Sequence, residues 1–171
     1  GKDSANVARK PVAALVGNGE RRGDPGLRGF GASFGTFPRD IGHNRVGSWS
    51  YFDVDSADIT WRVLFLDANK AALGSRWMEQ LFWIPTVVTD PAYDKLVVFI
   101  NQPVVSLSTG HTSDTATDSR ALYTLIDDNI PIGKLEAIVS SGVAANEFFL
   151  PTGAYGEAFI VAGNSAVGSP G

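Results

Sequence analysis

The stretch "KLVVFINQP", Lys95 to Pro103, decides how this chain is read. Lys95 to Ile100 is a short apolar run without polar alternation, the pattern of a strand buried on both faces. Asn101, Gln102 and Pro103 end it, because proline cannot donate to a sheet ladder and short amides favour turns. Working outward, similar runs recur at "PVAALV" (Pro11 to Val16), "LEAIVSS" (Leu135 to Ser141) and "EAFIVAG" (Glu157 to Gly163). "SRWMEQLFWI" (Ser75 to Ile84) spaces Trp77, Leu81 and Ile84 four and three apart, which predicts a helix with Ser75 as its N-cap. A second helix is expected from about Asp118 to Asp127. "SWSYFDVDSADITWRVLFLDA" predicts a hairpin of Trp49 to Val54 and Ile59 to Leu66, joined by a polar turn at Asp55 to Asp58.

Strands alternating with helices make an α/β fold, whose ligand sites lie at the carboxyl ends of the strands. Those ends are Gly17 to Glu20, Asn101 to Pro103 and Gly142 to Ala145. The 171 residues fit one domain, 1–171, with a long glycine- and proline-rich loop over 21–46 and a flexible tail at 164–171.

Composition narrows the function. Apolar residues at 44% and charged residues at 19% are those of a folded globular chain. A net charge of −4 leaves no basic footprint for nucleic acid. The cluster Arg21, Arg22 and Arg28 is explained by a solvated loop. The absence of cysteine excludes disulfides, thiolate zinc sites and a cysteine nucleophile, and leaves the redox compartment open. No apolar run reaches the roughly 18 residues of a membrane span, and "GKDSANVARK" lacks the signal-peptide pattern. A start at Gly1 is compatible with a processed, exported chain, so the compartment stays open between the extracellular or periplasmic space and others.

Strung in order, the strand ends resemble the motifs of the calcineurin-like metallophosphoesterases, especially the branch related to purple acid phosphatases. That family's Gly-Asn-His-Glu is similar to Gly17-Asn18-Gly19-Glu20. Its Tyr-Ser-Phe-Asp hairpin resembles Ser50-Tyr51-Phe52-Asp53, its Leu-Asp strand Leu66-Asp67, and its Trp-Leu-Glu-Gln helix Trp77-Met78-Glu79-Gln80. Its Val-Phe-x-His-x-Pro resembles Val98 to Pro103, and its Ser-Gly-His-x-His-Asn resembles Ser141 to Asn146. The final Tyr-Ile-Val-Ala-Gly-Gly is similar to Phe159 to Asn164.

The resemblance implies a two-sheet α/β sandwich, here without its N-terminal strands, and an enzyme built around two divalent metal ions. Such ions orient a phosphate ester and supply hydroxide at neutral pH, which takes imidazole and carboxylate ligands. At the matched positions the imidazoles are replaced. Asn101 stands where the family has the histidine before its proline, Val143 and Ala145 stand at the paired histidines, and Gly19 at the histidine that stabilises the transition state. Asn18 alone keeps a family metal-ligand identity.

Other readings of single residues are plainer. His43 and His111 fall in loops and lack the clustering that metal ligation needs. "GASFG" (Gly31 to Gly35) matches a nucleophile elbow around Ser33, but that motif needs a strand before it and a helix after it. Asp53, Asp55 and Asp58 lack the twelve-residue pattern of a calcium loop, so a hairpin turn explains them. Trp49, Trp61, Trp77 and Trp83 are expected in a core or interface, since basic residues are not interleaved with them.

The expectation is therefore a non-catalytic relative of these enzymes, without catalytic residues, bound metal or cofactor. It would act as a structural or interaction module, with a partner chain or a second copy covering an open sheet edge near "PVAALV". Two alternatives stay open. One is an active metal-dependent phosphoesterase with substitute ligands such as Asn18, Glu20, Asn101 and His111, or with an upstream half. The other is an anion- or sugar-binding module that uses the vacated pocket through Arg21 and Arg22.

Overall fold

The apolar runs pair into one sheet in the computed structural model, which describes residues 15, 48–107, 117–142, 146–150 and 156–162. In chain order the elements are β1 (Ser50–Ser56), β2 (Ile59–Leu66), α1 (Lys70–Leu73), α2 (Arg76–Val88), β3 (Lys95–Ile100), α3 (Thr117–Asp127), β4 (Leu135–Ser140), β5 (Glu147–Phe149) and β6 (Ala158–Val161). The six strands lie in the order β1-β2-β3-β4-β6-β5. β2, β3, β4 and β6 run parallel, flanked by β1 antiparallel to β2 and β5 antiparallel to β6. The architecture is thus α/β with a mixed sheet. Apart from Leu15, the expected strand Pro11 to Val16 lies outside the described residues, as do the loop 21–46 and the tail 164–171.

Because the order advances from β2 to β3 to β4 without reversal, crossovers of one hand bring α2 and α3 to the same face, where they touch each other. Against them the sheet presents Leu64, Leu66, Leu96, Val98, Ile100 and Ile138, none more than 1% exposed. Burial of each such side chain stabilises the fold by roughly 1.5–3 kcal/mol. Trp49, Trp77, Ile84, Val88, Leu122 and Ile126 complete this core, so two of the four tryptophans are core residues. The opposite face carries Val63, Phe65, Val97, Phe99, Val139 and Ile160, fixed there by register. Phe65 and Phe99 stack with ring centroids 5.3 Å apart, and Phe65 lies outside the helix-side core although only 5% exposed.

Several local expectations need correcting. The hairpin is tighter than the sequence suggests: β1 runs on through Asp55 and Ser56, leaving Ala57 and Asp58 as the turn, with Ala57 at φ 51°. Asp55 holds this end by accepting from the hydroxyl of its cross-strand partner Thr60 at 2.9 Å. Ser75 does not cap α2 through its side chain. It sits at φ −60°, ψ −28°, already helical, because the chain turns directly out of α1 through Gly74, and Trp77 N–H bonds the Gly74 carbonyl at 3.2 Å. The helix also continues past Ile84 and through Pro85 to Val88. Proline there removes one backbone donor, but burial of Val87 and Val88 carries the helix through.

Candidate functional site at the strand tips

At the carboxyl end of β2, Asp67 is buried and is held by α2 as though by another strand. Gln80 accepts from Asp67 N–H through Oε1 and donates to the Asp67 carbonyl through Nε2, both at 2.9 Å. A glutamine carries a donor and an acceptor on one planar amide, so it satisfies both backbone groups at once. The next strand tip is tied on in the same way. Asn101, 3% exposed at the end of β3, accepts from Ala68 N–H through Oδ1 and donates from Nδ2 to Asp67 Oδ1, both at 2.8 Å. Asp67 Oδ1 also accepts from the backbone and side-chain N–H of Asn69 at 3.0 and 2.9 Å. Gln102 donates to Asn69 Oδ1 at 3.0 Å.

The third tip closes against the second. Ser141 N–H bonds the Ile100 carbonyl at 3.3 Å, and Gly142 follows at φ 103°. A Cβ on Gly142 would stand 3.2 Å from the Asn101 carbonyl oxygen. Backbone conformation and close approach therefore both call for glycine here.

Of the site and ligand positions expected from the sequence, Asn101 is the one whose surroundings are described. Asn18, Gly19, Glu20, Arg21, Arg22, His43, His111, Val143 and Ala145 lie outside the described residues. The described tips bring together Asp67, Asn69, Gln80, Asn101 and Gln102, one carboxylate among four neutral amides. Such amides bind transition metals far more weakly than imidazoles. Among the described residues no group of three His, Cys, Asp or Glu side chains is placed to hold a metal ion.

This chain is similar in fold to GAP50. That protein, the anchor in the inner membrane complex of Plasmodium, aligns with a TM-score of 0.50 at 15% sequence identity. The alignment covers 70% of this chain and 38% of GAP50, so the chain spans less than two fifths of the structure it matches. No family model and no curated protein matches the sequence. At this identity the GAP50 match bears on fold alone. No described helix is long and apolar enough to cross a membrane.

A second polar assembly, not anticipated from the sequence, lies toward the other end of β2. Arg62 is 1% exposed and grips its cross-strand partner Asp53 through two bonds of 2.8 and 2.7 Å. Its third nitrogen reaches the Val87 carbonyl at 2.8 Å and Asp90 at 3.0 Å. The guanidinium is sandwiched by the rings of Tyr51 and Tyr93, 4.3 and 4.4 Å from their centroids. Burial alone would lower its pKa, but the bonds and charges of Asp53 and Asp90 outweigh it and hold the group firmly protonated. Asp90 is pulled below the usual carboxylate value by the Ala92 N–H and then by Arg62. Burial pushes the Tyr93 hydroxyl up to about 12, and that hydroxyl donates to the Val88 carbonyl at 2.5 Å. With every nitrogen on internal partners, Arg62 is a structural clamp between the hairpin and the end of α2.

Proposed function

We propose that this chain is a non-catalytic relative of the calcineurin-like metallophosphoesterases that acts as a structural or interaction module, completed by a partner chain or by self-assembly. The observation that carries the reading is the bonding of Asn101. At the position matched to a family imidazole, the side chain is turned inward to join Asp67 and Ala68. A residue so placed ties two strand tips together, which is a structural service, whereas a metal ligand has to present a lone pair outward.

The two-sheet sandwich belongs to the same reading. Its support is the apolar face of Val63, Phe65, Val97, Phe99, Val139 and Ile160 opposite the helices. A sheet with one solvated face alternates apolar and polar residues, whereas one buried on both faces does not. The anchoring role named for GAP50 is of the kind proposed for this chain.

The test is metal analysis of the purified chain after incubation with manganese, zinc and iron, together with hydrolysis of an aryl phosphate. The expected result is well under one equivalent of bound metal and no turnover above the buffer blank. One or more equivalents, with turnover abolished in Asn101→Ala while the variant stays folded by circular dichroism, overturns the reading in favour of a phosphoesterase with substitute ligands.

A further inference from the structure

On the helix face, beside β6, α3 and the sheet edge enclose a cleft of about 470 Å³, within the size range of small-molecule sites. Its walls include Val104, Phe149 and Phe159, with Tyr123, Glu157 and Arg120 as polar members. The charges are arranged by depth. Arg120 is exposed and its Nε is tied to the Val104 carbonyl at 3.3 Å, while Glu157 is only 5% exposed. Tyr123 donates its hydroxyl to Glu157 Oε1 at 2.5 Å, which orients the carboxylate. No lysine or arginine among the described residues pairs with Glu157. The Tyr123 and Phe159 rings meet edge to face with centroids 5.4 Å apart, and Phe149 pairs with Phe159 across β5 and β6.

A deep carboxylate among aromatic rings is the arrangement that recognises an organic cation: the carboxylate supplies charge-assisted hydrogen bonds, the rings supply their negative faces, and the apolar walls take an alkyl stem. We propose that this cleft binds a primary alkylammonium group, with Glu157 as its anionic partner and Tyr123, Phe149 and Phe159 around its stem. The site is separate from the strand tips, and its occupancy does not depend on whether the tips are catalytic. A free alkylamine and a lysine side chain of another protein share this chemistry.

The experiment is an NMR titration of the intact chain with n-hexylammonium, n-hexanol and an acetylated, amidated Leu-Lys-Leu peptide. Saturable shifts centred on Tyr123, Phe149 and Glu157 are expected, with the ammonium bound about tenfold more tightly than the alcohol of equal length. Glu157→Gln should bring the two within about twofold. Tighter binding of the free amine supports a small-molecule ligand, and tighter binding of the peptide supports a lysine side chain. Equal affinity of wild type for n-hexylammonium and n-hexanol, or no saturable shift with n-hexylammonium, overturns the proposal without recourse to any variant.

Discussion

Arg62 shows how much one residue can carry when its register is fixed. A two-residue turn places Asp53 directly across from Arg62, and α2 ends where Val87 and Asp90 complete the guanidinium's bonds. Removing one member of a buried ionic group leaves the others without compensation, which costs on the order of 3 kcal/mol. Arg62→Ala is expected to lower the unfolding free energy by that amount, read as a lower midpoint in urea. Arg62→Lys should recover only part of it, because a single ammonium cannot form the two parallel bonds to Asp53. The neighbouring Tyr93 gives the assembly an alkaline limit. Its hydroxyl loses a proton near 10 when unfolded and at about 12 when folded, so the folded state holds the proton more tightly. Its stabilisation is complete below 10 and is lost as pH climbs from 10 to 12, a fall on the order of 2 kcal/mol. Asp90 acts in the opposite sense, since its lowered pKa adds stability above its unfolded value that disappears as the pH falls. Urea unfolding of wild type against Tyr93→Phe between pH 9 and 12 checks the alkaline limb, which should flatten in the variant.

At the scale of elements, legibility followed length and period. β3 was readable as an apolar run with a clear stop, and Lys95–Ile100 appears with the bounds its sequence suggests. β2 and β4, interrupted by Arg62 and Glu136, were readable from their β-branched, aromatic and aliphatic content beside turn residues. β5 has three residues, too few to show a period, and pairs only because Glu147 to Phe149 lies against β6. α1 is a single turn of four residues. Pro85 argued locally for a helix end, and tertiary burial of Val87 and Val88 overrode it. The tip site was half legible: Asn101 and Asp67 stood out as motif positions, but the bond between them joins residues 34 apart in sequence, and no local pattern reports that. Half of the Arg62 clamp was implicit in the hairpin register, and its Asp90 arm was not. Where β4 meets β3, Gly142 combines a left-handed φ with close approach to the Asn101 carbonyl. Gly142→Ala should cost about 1–3 kcal/mol in thermal unfolding. A change within a few tenths would mean that the tips are looser than their hydrogen bonds imply.

At the scale of the whole molecule, the question is what lies against the sheet face opposite the helices. Val139 sits near its centre, between Phe99 of β3 and Ile160 of β6, with no polar residue beside it in register. On a solvated face, exchanging Val139 for lysine changes stability by no more than about 0.5 kcal/mol. Against a covering layer, the same exchange desolvates an ammonium without a partner and costs several times as much. A second copy and a separate partner chain then differ in mass action: only self-association makes the unfolding temperature of the purified chain rise with its own concentration. The expected outcome is therefore a loss of about 2–3 kcal/mol for Val139→Lys, read by denaturant unfolding. If the covering layer is another copy, the concentration dependence seen in wild type should vanish in the variant. Val139→Lys indistinguishable from wild type would make this an open face and remove the support for a two-sheet sandwich.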